Sequence, residues 1–312
     1  MSVLHLRVTS PAASTDAVLA TLHADPGVTN VTLHRGVVLR PAGDLVAADV
    51  AREAVDTVVD ELQALDLERT GSIVLETVDT ALGHDVERAE AAAPGEGDDA
   101  LIWEQVERAA DGGATGSAAF YAFLVLATLI AAVGLLTDSQ VLIVGAMVLG
   151  PEFGPLAALA VAVVRRRRDR VGGPVRALCL GFPLAVAVTA AAVLLLDRVG
   201  LVPEEFLAGR RPLTSFVASP DAFSVIVAVL AGIAGTLSLT SAKAGPLVGV
   251  FISVTTVPAA ADFAAGVVTA QYGTALGALW QLVLNLCCIL LAAVATLRVQ
   301  QALWARVRRP RR

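Results

Sequence analysis

Leu4, Leu6 and Val8 alternate with His5 and Arg7, the two-residue period of a half-buried strand. Residues 15–24 then read as a short helix, with Ser14 or Thr15 as cap and Val18, Leu19 and Leu22 on one face. Residues 28–39 and 45–50 read as two strands around a turn at 41–44. Val55, Val58, Val59, Leu62 and Leu65 recur at helical spacing within 51–65, and residues 72–78 close as a strand. The order βαββαβ predicts a ferredoxin-like α+β domain over residues 1–80. Both helices then cover one sheet face, and the other face is open to a partner, a second copy or a ligand.

Residues 81–117 change character. Ala, Glu, Gly and Asp dominate around a linker core at Pro94, Gly95, Glu96 and Gly97. Within this acidic linker, 98–111 reads as a helix with Leu101, Ile102, Trp103 and Val106 clustered. Trp103 suits a membrane–water interface, so the helix is expected to lie there; a linker helix packed on the soluble domain is the alternative.

From residue 118 onward, long apolar runs replace short periods. Six spans are predicted, at 118–136, 140–164, 174–196, 222–240, 244–268 and 273–299. Residues 300–312 form a basic tail. In each half of this region the middle span is the interrupted one. The second carries Gly145, Gly150, Pro151, Gly154 and Pro155; the fifth carries Gly245, Pro246, Gly249, Pro258 and the polar run Ser253-Val254-Thr255-Thr256. Three spans per repeat is an odd number, so the second copy is inverted. Paired broken helices in inverted halves point to a site near the bilayer midplane.

Charge adds a topology. Residues 1–117 hold 21 acidic and 7 basic side chains, net −14, and residues 118–312 hold 8 acidic and 16 basic, net +8. An acidic soluble part argues against nucleic-acid binding. Arg165, Arg166, Arg167, Arg168 and Arg170 follow the second span, and Arg298, Arg306, Arg308, Arg309, Arg311 and Arg312 follow the sixth. An even number of spans puts both clusters on one side. The positive-inside rule makes that side cytoplasmic, with both termini there. The start of the chain lacks the basic region and long apolar run of a signal peptide.

Few ionisable groups fall within spans. A charge at the centre of an inserting helix costs roughly 2.5–3.5 kcal/mol. Glu152 sits mid-span beside Gly150, Pro151 and Gly154, where freed backbone groups also become ligands; it is the first candidate for a proton carrier or cation ligand. A neutral acid capping a broken helix end is the alternative. Asp262, in an Asp-Phe pair that echoes Glu152-Phe153, is a second candidate or an interfacial aspartate. Lys243, the single lysine, attracts an anionic solute or snorkels to headgroups. Ser253, Thr255 and Thr256 supply hydroxyls, and Gln281 and Asn285 share one face of the sixth span, lining a cavity or bonding between helices.

The histidines His5, His23, His34 and His84 all precede the spans, which excludes a histidine relay within the bilayer. Cys179, Cys287 and Cys288 lie in apolar runs and read as packing residues. No nucleophile–base set, phosphate loop or metal-ligand spacing is found, so neither an enzyme nor a cofactor or metal is expected.

The strings Trp103-Glu104-Gln105-Val106, Ala127-Thr128-Leu129-Ile130-Ala131, Asp138-Ser139 and GAMVLGPEFGP at 145–155 resemble the signature of a bacterial and archaeal membrane family, domain of unknown function 389. The resemblance runs from Trp103 to the end of the sixth span and implies a multi-span inner-membrane protein. It implies no substrate and no residue roles. The expectation from the residues is a secondary transporter of a small polar solute or ion, proton- or cation-coupled and homo-oligomeric. A membrane-anchored ligand sensor or assembly protein, and an oligomeric channel, are the alternatives.

Overall fold

The computed structural model describes residues 3–78, 80–93, 102–218, 221–240 and 256–307. The chain divides into two units. The first holds residues 1–105 with short pieces around 240 and beyond 300; the second holds most of 106–299.

In the first unit, strands β1 (Val3–Ser10), β2 (Val28–Leu39), β3 (Ala42–Ala51) and β4 (Ser72–Thr77) form one antiparallel sheet in the order β2-β3-β1-β4. Helices α1 (Thr15–Ala24), α2 (Val55–Ala64) and the short α3 (Leu67–Thr70) interleave with the strands. The two-residue period decides the layers. Leu4, Leu6 and Val8 of β1 and Val46, Ala48 and Val50 of β3 are buried and share a core with Val18, Leu22, Val55, Val58, Val59 and Leu62 of the helices. The alternate residues His5, Arg7 and Asp49 are partly or fully exposed, with a His5–Asp49 bond at 2.8 Å and an Arg7–Glu76 pair at 3.5 Å.

Three details differ from the sequence expectation. The β2–β3 turn is only Arg40-Pro41, because Ala42 already pairs with Leu39. Ala51 still belongs to β3, so α2 begins four residues late. Residues 81–93 are not plain linker: α4 (His84–Ala92) buries Val86 and Ala89 and packs along β2 and β3.

Gly71 joins α3 to β4 where the chain crosses the end of β1. A Cβ built there falls 1.9 Å from the Thr9 carbonyl oxygen, a backbone atom with nowhere to move. Gly71→Ala is expected to destabilise the sheet domain by about 2–3 kcal/mol, the range of a forced overpacking. Urea unfolding followed by strand circular dichroism checks it; an unchanged midpoint refutes the close approach.

In the second unit, α6 (Ala118–Leu136), α9 (Gly172–Arg198), α11 (Ala222–Thr240) and α13 (Tyr272–Val307) are each long and apolar enough to cross a membrane, and the short α10 (Glu204–Leu207) lies between α9 and α11. Helices α7 (Gln140–Leu149) and α8 (Phe153–Val164) pass the same test together, bent by 50° at their junction. That makes up to five candidate spans among the described residues. The expected fifth span appears only as α12 (Thr256–Val268), because residues 241–255 lie outside the described residues. The last span, expected at 273–299, runs on as a helix of 36 residues, about 54 Å long against a hydrocarbon core of about 30 Å.

Large apolar side chains cover the outside of these helices, among them Leu180, Leu195, Ile226, Leu230, Leu276 and Leu291. In water such a surface would be untenable; against lipid tails it is neutral. Cys179 and Cys287 also lie on exposed surface, which corrects their reading as packing residues. Inside, small residues let backbones approach. A Cβ at Gly232 of α11 meets the Ile289 carbonyl of α13 at 2.6 Å, so this glycine is a contact point between the two helices. Gly232→Leu is expected to separate α11 from α13 and lower the apparent melting temperature in detergent; an unmoved transition rejects this contact.

Candidate functional site

The break between α7 and α8 follows from Pro151, which has no N–H for the helix ladder. Gly150 ends α7 in an extended conformation (φ −66°, ψ 119°), and Glu152 is the residue on which α8 starts. Pro155 sits in the first turn of α8, where the N–H groups have no intrahelical partner in any case. Gly150, Pro151 and Glu152 are thus the turn itself, and Gly154 lies in the first turn of α8. Glu152 is completely buried and makes no capping bond to its own helix. Its Oε1 instead accepts the hydroxyl proton of Thr256, the first residue of α12. Two of the candidates, 104 positions apart, are therefore joined at two helix ends.

Thr256 is itself fully buried, and α12 packs on α6, α9 and α7. Six residues along α12, about 9 Å by helical rise, lies Asp262. It is fully buried and receives a two-pronged ion pair from Arg211, with Nη1–Oδ1 at 2.6 Å and Nη2–Oδ2 at 3.0 Å. The guanidinium lies over the Phe206 ring at 5.1 Å. Arg211, only 5% exposed, is the partner that the sequence reading did not name.

Asn285 is buried and accepts from Gln281 Nε2 at 3.2 Å, one turn away on α13. Lys243, Ser253 and Thr255 lie outside the described residues. Among the described residues no group of three or more His, Cys, Asp or Glu is placed to hold a metal.

The arginines after α8 have acidic partners. Arg165 bonds Glu107 at 2.9 Å, and Arg170 bonds Glu107 at 3.2 Å and Asp111 at 2.8 Å, both on the later half of α5 (Trp103–Ala114). In the first unit, the Trp103 N–H at the start of α5 donates to Asp56 Oδ1 at 3.1 Å, and Ile102 packs in the core of the sheet domain. The helix expected at the interface therefore begins on the sheet domain.

Beside Trp103, Glu104 is pushed up to about 7, first by burial and then by the nearby carboxylates of Asp56 and Asp60. Its folded value lies above the unfolded one, so its protonated form favours the docked helix. That contribution is complete below about pH 4.5 and is lost as pH rises through about 7. Hydrogen exchange at residues 103–106, corrected for the intrinsic rate, is expected to quicken from about pH 4.5 to about pH 7, and Glu104→Gln to remove the trend. A flat profile in the unsubstituted protein refutes it.

No curated protein and no solved structure matches the chain. Residues 147–291, from the end of α7 into α13, match the family described as domain of unknown function (DUF389), the family whose signature the string at 145–155 resembles.

Proposed function

We propose that the membrane unit is a secondary transporter of a small polar solute or ion, coupled to a proton or cation. The observation that carries the reading is the buried Glu152 carboxyl at a helix break, hydrogen-bonded by Thr256 at the start of another helix. An ionised carboxylate away from water is expensive unless it is neutralised. Glu152 therefore takes up a proton or holds a cation, and either event changes the balance between α8 and α12.

The arrangement of helices supports the same reading. Helices α6, α7–α8 and α9 form one set of three, with the break in the middle member. Helices α11 and α13 flank α12 in the second set, and α12 begins halfway along the expected fifth span. Two inverted three-span repeats place both discontinuities at one depth. The arginine end is then cytoplasmic, with both termini on that side of a bacterial plasma membrane. The sheet domain oligomerises the protein or senses a ligand on its open face.

Solid-supported-membrane electrophysiology of proteoliposomes, challenged with pooled polar metabolites and ions, tests the proposal. A solute-dependent current carried by the native chain is expected. Electroneutral exchange is covered by parallel uptake of labelled solutes. Silence in both, from folded protein, rejects transport and leaves the sensor reading.

A further inference from the structure

Residues 199–221 join α9 to α11, and the part from 203 to 218 is tied down more heavily than a simple connection needs. Thr214 Oγ1 donates to Asp138 Oδ1 at 2.9 Å and the Leu213 N–H to Asp138 Oδ2 at 3.3 Å. Gln140 Nε2 donates back to the Leu213 carbonyl at 2.9 Å. Asp138 and Gln140 flank the start of α7, the first half of the broken span. On the other side, Asp262 of α12 holds Arg211, and Gln271, just past α12, donates to the Phe206 carbonyl at 3.0 Å. Val202, Phe206 and Val217 add apolar contacts to the core of the helices.

The segment thus straps together the two elements that carry Glu152 and Thr256. It crosses them at the end opposite Arg165 and Arg170, because α9 runs from the arginine end to the strap. A cavity of about 490 Å³ lies between the strap and the α6–α7 turn, lined by Leu135, Asp138, Glu205, Phe206, Arg210 and Arg211 among others. Of the ion pair, Arg211 lies at its wall and Asp262 does not. Glu152 does not line it.

We propose that residues 203–218 are the gate of the Glu152–Thr256 site on the side away from the arginine cluster, with Arg211–Asp262 as its latch. The proposal rests on the transport reading for its purpose, but the motion it requires is observable without transport. Both ions of the latch are desolvated when closed, and both regain water when the strap lifts. The pair therefore has two acceptable arrangements, hydrogen-bonded and dry or separated and hydrated, and little between them. The bonds to Asp138 fix where the strap lands. Ala259, completely buried on α12 between Thr256 and Asp262, belongs to the same apolar core as Phe206 and Val217 of the strap.

The test is access of a membrane-impermeant maleimide to Ala259→Cys in the full chain, with Cys179, Cys287 and Cys288 replaced by alanine. Labelling is measured from each side, in spheroplasts and in inverted vesicles. With the latch intact, labelling from the side away from the arginines is expected to be slow. Asp262→Asn, and separately Thr214→Val, should accelerate it about tenfold or more from that side only. Thr214→Val leaves no charge unpaired, so it stands in if Asp262→Asn fails to fold. No acceleration in a folded variant, or equal acceleration from both sides, overturns the gate. If the gate behaves as expected while neither current nor uptake is found, the transport reading fails and the strap remains a lid over a buried pair.

Discussion

Glu152→Gln is expected to stop solute-dependent flux while leaving the fold intact. Glutamine keeps the shape of the side chain and can still accept the Thr256 hydroxyl proton, so the contact between the α8 start and α12 survives. What it loses is the ability to change charge. Stability should move by no more than about 1 kcal/mol. Coupled flux should fall about a hundredfold, the low end of what a positioned proton-transferring group contributes. The comparison with Thr256→Val sharpens the assignment. Valine removes the hydroxyl but leaves the carboxyl free to titrate or bind a cation, so flux should weaken without vanishing. If Glu152→Gln transports like the native chain, Glu152 is a structural acid at a kink and coupling lies elsewhere. If both variants unfold, the pair is a packing device only. The two readouts, flux and thermal transition, separate these outcomes.

The parts of this site that were legible in the sequence are those where one residue contradicts its surroundings. Glycine and proline next to a carboxylate inside an apolar run admit few explanations, and the break at Gly150, Pro151 and Glu152 appears where that cluster placed it. The sheet domain was legible because its strands keep a strict two-residue period from Leu4 to Val8 and from Asp44 to Val50. Helix α4 was not, since only Val86 and Ala89 of its nine residues are buried and the rest carry the composition of a linker.

Arg211 was missed for a physical reason. It lies in a connection that carries Glu204, Glu205 and Arg210 as well, the usual look of a solvated loop. Nothing local distinguishes it from its neighbour. The signal was distant: Asp262 within an apolar helix needs a cation, and Arg198, Arg210 and Arg211 are the basic residues that flank the nearest connection. Pairing requires knowing which helix end faces which loop, and that is a property of packing rather than of any window of sequence. The polarity of Asn285 is visible in the sequence, and so is the four-residue spacing that lets Gln281 bond it within the same helix.

Breaking the Arg211–Asp262 pair on one side only should give the largest loss of stability in the membrane unit. Asp262→Leu leaves a guanidinium that is 5% exposed without its carboxylate, and Arg211→Met leaves a fully buried carboxylate without its cation. Removing one partner of a buried pair costs about 3–5 kcal/mol. For a unit of this size that is a drop of roughly 10 °C in the thermal transition. The double variant Arg211→Met with Asp262→Leu removes both charges together, and apolar replacements of buried pairs are commonly neutral or stabilising by about 1–4 kcal/mol. The double variant should therefore recover most of the loss, giving a coupling energy of several kcal/mol between two positions 51 residues apart. If the single variants are harmless, the pair is hydrated in solution and carries no latch. If the double variant is as unstable as either single one, the residues act through Phe206 and the strap rather than through each other. A stable double variant is also the cleanest probe of function, since a strap held by apolar contacts in place of an ion pair loses the hydrated alternative. It should fold well and open rarely, so that flux falls although every residue of the Glu152–Thr256 site is intact.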